Sequence, residues 1–430
     1  MNIATKNRSL IGRTLYVPRM SIDGASAFAA AFRAVGIDAR LVPPADQYTN
    51  NLARQYTIGE ECYPQIITLG SFLKIIEQDS FDPQKTAFIM PTTGGPCRFG
   101  QYNQLLEKIL ADKGLEDVMV ISPSSNSGYE DIGDKADNLF RFGWWAVVCS
   151  DILRKLLHQT RPYEINVGET DQIHQQSTDL ICAVMENQDQ AMARKRNELI
   201  EALESIAARF ADVTADYDSR KPLIGVVGEI YCRLDGFSNA ELIRRVEKFG
   251  GEVWLASVAE WVWYSNFYQQ NELRLKGETL SIEMLGTVIR SRFQQYDEHK
   301  FFAPLRQRFK GYEEPKKINT ILEHARPYLP YSGVIGEMVL NVGGAIFLHQ
   351  KGADGIIDIS PFTCMNGIVS EAVYPAVSAD YDKIPIKNFY FDETEAEYDR
   401  DIEIFIELAR SYQRRKQIKR IYPEHFKLHR

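Results

Sequence analysis

The sequence predicts an α/β protein with two Rossmann-like or flavodoxin-like lobes, each built on a parallel sheet and joined by a helical segment. Short runs typical of buried strands alternate with amphipathic helical patterns in two separate parts of the chain, which favours parallel sheets covered by helices. The stretch between these parts contains no convincing strand. A length of 430 residues also exceeds that of one ordinary domain.

The first lobe is predicted over residues 1–145. Its helical patterns carry apolar residues at i, i+3 and i+4 spacing, and they separate four short runs rich in β-branched and apolar residues. The predicted strands are Thr14–Val17, Arg40–Val42, Ala87–Met90 and Val118–Ile121, and the predicted helices are Ser21–Val35, Tyr63–Ile76 and Gln101–Leu110.

The helical linker is predicted over residues 146–220. Apolar residues recur with helical spacing from Ile181 to Phe210, which predicts one long amphipathic helix with a solvated face rich in Glu, Arg and Lys.

The second lobe is predicted over residues 221–390, with a helical insertion at about 258–350. Its predicted strands are Leu223–Val227, Glu252–Ala256 and Gly355–Ser360, and Asn239–Phe249 is predicted as a helix. Residues 391–430 form a final unit. A helix over Glu393–Lys419 is acidic at its start and basic at its end, as the helix dipole favours. The basic tail from Arg414 onward is predicted to be solvated, with a binding element as the alternative.

The amino-acid composition argues against several classes of protein. Hydrophobic residues make up 44% and charged residues 25%, as in ordinary globular proteins, and no run reaches the roughly 18 apolar residues of a membrane span. The net charge of −8 argues against a general nucleic-acid binder. The first fifteen residues lack the apolar core of a secretory signal, so the expected compartment is the cytoplasm.

Six cysteines are too few for a disulfide scaffold in a chain of this length. Cys149 and Cys182 lie on apolar helix faces and are predicted to be packing residues. Cys62, Cys97 and Cys364 differ, because each lies in a turn-rich segment beside a regular element.

These three cysteine loops occupy positions where open α/β folds bind ligands. Cys62 precedes a helix start marked by Pro64, while Cys97 and Cys364 follow predicted strands. A helix N-terminus, with Arg98 next to one thiol, favours a thiolate or an anionic cluster. The gaps of 35 and 267 residues match no local metal motif, so three buried structural cysteines remain the alternative to a three-cysteine metal site.

Three residues near the end of the strand Leu223–Val227 are further candidates. Cys232 is either a small apolar core residue, the favoured interpretation, or a fourth metal ligand. Glu229 is a candidate general acid or base, and Arg233 is a candidate for binding a carboxylate or phosphate. The alternative for both is a structural role, as a salt bridge or a loop-anchoring contact.

Four segments together resemble the 2-hydroxyacyl-CoA dehydratase superfamily, which includes benzoyl-CoA reductase subunits and double-cubane cluster proteins. The segments are GEECYP, GGPCRFGQY, GEIYCRLDGFSN and KGADGIIDISPFTCMNGIVSE, and the resemblance extends over roughly residues 15–416. The branch that this chain most resembles is that of the activase-related proteins. Two departures matter: the chain has no phosphate-binding loop of an ATPase module, and it lacks the extra cysteines of a double cubane.

The resemblance implies one [4Fe–4S] cluster in the cleft between the lobes, held by Cys62, Cys97 and Cys364 with Arg98 tuning it. The iron without a protein thiolate would take water, a substrate oxygen or Cys232. It also implies low-potential electrons from an ATP-dependent activase, a small substrate such as a CoA thioester, and a homodimer or hetero-oligomer. The alternatives are a non-catalytic electron-transfer or assembly component with the same cluster, and a cluster-free two-lobed binding protein.

Overall fold

The computed structural model describes residues 9–94, 97–123, 136–188, 191–217, 219–332, 336–394 and 397–426. Two four-stranded, all-parallel sheets within these residues confirm the predicted α/β class with two Rossmann-like lobes. No helix among the described residues has both the length and the apolar composition to cross a membrane.

The first sheet has the strand order β2-β1-β3-β4. Leu15 at its centre lies opposite Ala39 on one side and Ala87 on the other, and every residue of β3 is buried. All four strands were predicted to within one or two residues. They are β1 (Thr14–Val17), β2 (Ala39–Leu41), β3 (Thr86–Ile89) and β4 (Met119–Ile121).

Four helices accompany the first sheet in the part of the chain that the structure describes. Ser21 caps the first of them by accepting from the Gly24 amide, and Asp46 forms a reciprocal capping box with Thr49 at the second. The helices are α1 (Ile22–Ala34), α2 (Gln47–Ala53), α3 (Tyr63–Ile76) and α4 (Tyr102–Asp112).

The middle of the chain contains α5 (Ala136–Thr160), α6 (Glu169–Glu186) and α7 (Met192–Ala211). The prediction of one long helix from Ile181 to Phe210 is wrong, because the chain leaves the helical conformation at Asn187, where ψ is 106°. The break lets α6 and α7 pack against each other and bury their apolar faces in the same core. One straight helix would have carried half of that face away from the core.

The second sheet repeats the strand order of the first, as β6-β5-β7-β8. Its two central strands are buried at every residue. The edge strand β8 was not predicted, because only Phe389 and Phe391 in it are buried and its other residues are partly exposed. The strands are β5 (Leu223–Gly228), β6 (Glu252–Leu255), β7 (Gly355–Pro361) and β8 (Ile386–Phe391).

Eight helices accompany the second sheet in the described residues, and the region predicted as a helical insertion contributes four of them, α10 to α13. They are α8 (Ile230–Leu234), α9 (Leu242–Lys248), α10 (Ala259–Leu275), α11 (Ile282–Phe302), α12 (Ile318–Ala325), α13 (Glu337–Gln350), α14 (Met365–Asp380) and α15 (Tyr398–Arg415).

The basic tail after α15 is not simply solvated, which corrects the prediction. Arg420 is buried and donates from Nη2 to Glu252 at 2.5 Å, and Lys416 pairs with Asp354 at 2.7 Å. Both carboxylates lie at the amino ends of strands of the second sheet, Glu252 in β6 and Asp354 just before β7, and both are fully buried. A buried carboxylate requires a cationic or hydrogen-bonding partner, and the tail supplies one to each.

The two lobes meet along a shared apolar core. Buried residues of α3, such as Ile66 and Ile67, belong to the same hydrophobic cluster as Val226 and Ile357 of the second sheet. In both sheets the strand order reverses next to the first strand, and ligands of open α/β folds bind beyond the carboxyl ends of the strands at such points. A ligand-binding site is therefore expected in the segments that follow β3, β5 and β7.

Candidate functional site

Cys62, Cys97 and Cys364 occupy the same structural position in three different segments. Each is the residue immediately before a helical turn: Cys62 before α3, Cys97 before the short 3₁₀ turn that leads into α4, and Cys364 before α14. Their φ angles lie between −65° and −69°, with ψ between 120° and 136°. Unpaired backbone amides and the positive end of the helix dipole therefore lie beside each thiol.

Two of the cysteines belong to the first lobe and the third belongs to the second. Cys97 follows β3, and Cys364 follows β7, beside the reversal point of the second sheet. The thiols of Cys62 and Cys364 are 7% exposed, and that of Cys97 is half-buried. The site thus lies where the two lobes meet, and Cys97 is its most accessible member.

Arg98 joins the three cysteine loops. Its Nη1 donates to the carbonyl oxygen of Glu60, two residues before Cys62. Its Nη2 donates to the carbonyl and hydroxyl oxygens of Thr363, at 3.1 and 3.0 Å, one residue before Cys364. The sequence pointed to Arg98 through its position next to a thiol. The structure adds that its guanidinium holds the other two loops in place.

The backbone of Thr363 is strained. Its φ of +61° lies in the left-handed region, which is uncommon for residues other than glycine and an outlier for a β-branched one. Such conformations persist where the surroundings impose them, and they cluster at functional sites. The bonds from Arg98 hold this turn in the conformation that places Cys364 at the start of α14.

The three thiols affect one another and share the charge of Glu229. Burial raises the pKa of Cys62 to about 12, and the charges of Glu229 and Cys97 act in the same direction. Burial likewise raises the pKa of Cys364, and the charges of Cys62 and Glu229 add to the increase. The thiols are therefore protonated when no metal is present, and a metal that binds them must displace protons.

Tyr102, at the start of α4, hydrogen bonds to the Cys62 thiol and lowers its pKa against the effect of burial. The phenol is itself buried, and burial raises its own pKa. The sequence analysis did not single out this residue. Its position in the CRFGQY segment, one helical turn after Cys97, was the available signal.

Glu229 faces the cysteines. It ends the segment after β5, and its two carboxylate oxygens accept from the amides of Tyr231 at 3.0 Å and Cys232 at 2.8 Å. Burial raises the pKa of Glu229, while those two amides and Arg233 oppose the increase. Its charge in turn raises the pKa of Cys62, Cys97 and Cys364, so one carboxyl group acts on all three thiols.

Arg233 is held by backbone carbonyl groups beside the ends of β5 and β6. It is 5% exposed and donates to the carbonyl oxygens of Gly228 and Ser257, both at 3.3 Å. Arg233 lines a cavity together with Glu337, and its charge lowers the pKa of Glu229, so the two candidate catalytic residues act on each other.

Glu337 is a site residue that the sequence analysis missed. It is the first residue of α13, it is buried, and it accepts from the Ile230 amide at 2.9 Å. Burial and the charge of Glu229 raise its pKa to about 8, and its own charge raises the pKa of Cys97 and Cys364. It comes near the site through the packing of α13 on β5, which no local motif indicates.

The remaining cysteines are packed against apolar neighbours. Cys149 is fully buried in the core of the first lobe, and Cys182 lies half-buried against the same core. Cys232 is also fully buried, but it is close enough to Cys62 for the thiolate of Cys62 to raise its pKa. Among the residues that the structure describes, no three or more His, Cys, Asp or Glu side chains form a group that could hold a metal ion.

Comparison with known proteins adds no identification. No family model matches this chain, and a search of curated proteins finds none that is similar to it.

Proposed function

We propose that this chain is an iron–sulfur protein of the 2-hydroxyacyl-CoA dehydratase type, in which Cys62, Cys97 and Cys364 hold one [4Fe–4S] cluster. The observation that carries the proposal is the pair of links from Arg98, next to Cys97, to the loops of Cys62 and Cys364, each cysteine preceding a helical turn and the three coming from both lobes. Thiolates are the usual cluster ligands, and the amides and helix dipoles beside them offset their negative charge.

Among the described residues no side chains are grouped closely enough to hold a single metal ion, and a cubane does not require such a group. In a cubane each thiolate binds a different iron, so the sulfurs lie roughly 7 Å apart, farther than around one ion. The chemistry that a bound cluster would supply is electron transfer, together with Lewis acidity at the iron that lacks a protein thiolate.

The other residues of the site would serve that chemistry in distinct ways. Glu229, held by two amides, presents a carboxyl group to the thiols and is the candidate to move a proton to or from a substrate. Arg98 positions the loops. Because the sequence contains no phosphate-binding loop, the proposed source of low-potential electrons is a separate ATP-dependent activase, and the proposed substrate is a small molecule such as a CoA thioester.

The burial of the thiols favours a second candidate, a non-catalytic electron-transfer or assembly component. Cys62 and Cys364 are each 7% exposed, so a substrate would have to reach the cluster from the side of Cys97. Electron transfer needs no such access.

Iron and sulfide analysis of anaerobically purified protein tests the cluster. We expect about four irons per chain and a broad visible absorption that Cys97→Ser diminishes. Cys182→Ser is the matched control, because both residues are half-buried and Cys182 only packs against the core. An iron-free parent protein would favour the cluster-free binding protein, and equal iron loss in both variants would show that the cysteine ligands are wrongly assigned.

Reduction by an activase separates the two cluster-bearing candidates. The oxidised protein is mixed with an activase, ATP and a strong reductant, and the visible spectrum is followed with and without an acyl-CoA. ATP-dependent reduction followed by substrate-dependent reoxidation supports the enzyme. Reduction by the chemical reductant alone, with no effect of ATP, supports the simple electron carrier.

A further inference from the structure

The outer face of α11 is apolar and much of its inner face is polar, the reverse of an ordinary surface helix. Of the five residues that α11 buries, three are polar: Thr287, Gln294 and Asp297. Its exposed residues include five large apolar ones, with exposed fractions between 46% and 91%: Ile282, Leu285, Ile289, Phe293 and Tyr296. Contiguous apolar side chains on an exposed surface mark an interaction site, whereas single ones need no explanation.

Hydrogen bonds fix the orientation of α11 about its own axis. Gln294 accepts from Asn266 of α10 at 2.7 Å, and Asp297 accepts from the indole of Trp145 in α5 at 2.7 Å. Arg141 of α5 pairs with the same carboxylate at 3.1 Å. Because Gln294 and Asp297 are buried, a rotation that turned the apolar face inward would leave both without these partners, at a considerable cost. The apolar face therefore stays on the outside of the folded chain.

The five exposed apolar residues form one stripe along α11. Their positions fall within about 80° around the helix axis, and the stripe is about 21 Å long. Phe293 and Tyr296, at one end, lie under the guanidinium groups of Arg141, at 5.3 Å from the ring centroid, and Arg196, at 5.1 Å. Side chains that are already held in place lose less conformational entropy when a partner binds.

The stripe has the same spacing when it is read in either direction. Leu285 and Phe293 lie four residues before and after Ile289. Ile282 and Tyr296 lie seven residues before and after it. If two α11 helices pack antiparallel about a two-fold axis at Ile289, each apolar residue of one stripe faces an apolar residue of the other. A two-fold symmetric interface requires such a self-complementary surface.

The charges near the ends of the stripe favour the antiparallel orientation. Glu278, in the turn before α11, and Lys300, near the end of α11, are both exposed, and each lies eleven residues from Ile289. Antiparallel packing brings each Glu278 near a Lys300, whereas parallel packing would bring like charges together. Gly286 would face Arg292 of the other copy, and a Cβ at Gly286 would meet nothing within 4 Å, so the long side chain has room.

We propose that α11 forms the centre of a homodimer interface, in which a second copy of this chain packs its own α11 antiparallel along the stripe. The helix is about 32 Å long and about 10 Å wide, so its outer face has an area of roughly 300 Å². Exposed Leu275 and Leu280, at the turn between α10 and α11, enlarge the apolar surface. The total is below the roughly 800 Å² per partner of a standard interface, so the dimer should dissociate on dilution. The inference goes beyond the proposed function, because this pairing requires neither a cluster nor an activase.

The mass of the whole chain in solution tests the proposal. Sedimentation velocity is measured at concentrations from about 1 to 200 µM, because an interface of this size is expected to dissociate in the micromolar range. We expect the mass to rise from that of one chain to that of two. A mass of one chain at every concentration would overturn the proposal, as would growth beyond two chains, which a closed two-fold interface does not allow.

Substitutions in the stripe locate the interface. Ile289→Glu places two carboxylates at the proposed axis and should raise the concentration at which half of the chains are dimeric by at least tenfold. Ile404→Glu is the matched control, because Ile404 is 51% exposed on α15 and Ile289 is 47% exposed. It should dimerise like the parent. Circular dichroism checks that both variants fold, and Leu285→Glu replaces Ile289→Glu if the latter does not. Dimers that survive the stripe substitution, or that are lost equally in the control, would place the interface elsewhere.

Cross-linking tests the orientation. Leu285→Cys and Phe293→Cys proteins are treated with a short thiol-specific cross-linker, each alone and as a mixture that has been diluted and then concentrated. The mixture should give at least threefold more cross-linked dimer than either protein alone, because antiparallel packing places position 285 of one copy opposite position 293 of the other. The parent chain measures the background from its six native cysteines. Stronger cross-linking within the separate proteins would indicate parallel packing and overturn the assigned arrangement.

Discussion

Arg98 and Thr363 join the two lobes beside two of the cysteines, through hydrogen bonds of 3.1 and 3.0 Å from one Nη atom to the carbonyl and hydroxyl oxygens of Thr363. The same guanidinium reaches the backbone of Glu60, so one side chain sets the spacing of three loops. Arginine suits this task because its planar head donates in several fixed directions, which the ammonium group of lysine does not.

The first prediction concerns this link. Arg98→Lys should lower iron content and speed hydrogen exchange of the amides around Glu60 and Cys364, because one ammonium group cannot bridge both loops. The cost in the free energy of unfolding should be about 1–2 kcal/mol, given that the bonds are partly exposed. Arg326→Lys, at the exposed residue that follows the end of α12, is the control. Unchanged exchange at both loops would show that Arg98 does not hold them.

The second prediction concerns the fourth ligand of the proposed cluster. Cys232→Ala should retain the iron of the parent, because Cys232 lies in an apolar core and its amide, rather than its thiol, is bound to Glu229. Glu229→Gln should also retain iron, since Gln still offers an acceptor to one of the two amides. Iron loss as large as that of Cys97→Ser would identify the altered residue as a ligand.

The third prediction is that the stability of the fold at acidic pH depends on Asp23. Burial acts to raise the pKa of Asp23, but Arg154, at 2.9 Å, and His174 outweigh it and hold the pKa well below the usual range. A carboxyl group with a lowered pKa stabilises the fold above its unfolded pKa of about 3.9 and loses that contribution as the pH falls toward its folded value. The parent should therefore lose stability below about pH 4.

Asp23→Asn tests this linkage by denaturant unfolding at pH 7 and pH 3. We expect a loss of about 3–5 kcal/mol at pH 7, because Arg154 loses one of its two buried partners, and a smaller difference at pH 3. Asp38→Asn is the control: Asp38 pairs with Arg40 on the surface, where an ion pair contributes at most about 1 kcal/mol. An equal deficit for Asp23→Asn at both pH values would contradict the linkage.

The fourth prediction is that the C-terminal tail stabilises the second lobe. Arg420→Met should cost about 3–5 kcal/mol, because Glu252 is fully buried and would lose its cationic partner. Arg414→Met, at an exposed position of α15, should change stability by less than about 0.5 kcal/mol.

The loss of stability in Arg420→Met should depend on pH in a definite direction. Burial raises the pKa of Glu252 even with Arg420 present, and removal of Arg420 raises it further. Glu252 then becomes neutral at a higher pH, so the deficit of the variant should shrink as the pH falls. A deficit that grows on acidification would show that the loss comes from packing rather than from charge.

The α/β class, seven of the eight strands in the described residues and the positions of the three cysteine loops were predictable from local pattern. Buried strands read as continuous apolar runs, and Pro64 marked the start of α3. The edge strand β8 and the break at Asn187 were not predicted. The first is only half-buried, and the second depends on where the core lies.

The residues of the candidate site could be identified from the sequence, but their arrangement in space could not. Cys62, Cys97 and Cys364 could be sorted from Cys149 and Cys182 by their turn-rich neighbours, because turn chemistry is local. Which groups face one another depends on how α13 and the two sheets pack, over separations of hundreds of residues. Tertiary structure alone therefore brings Glu337 near the thiols, aligns Arg98 with Thr363 and makes Arg233 line a cavity together with Glu337, because burial and charge act through space rather than along the chain.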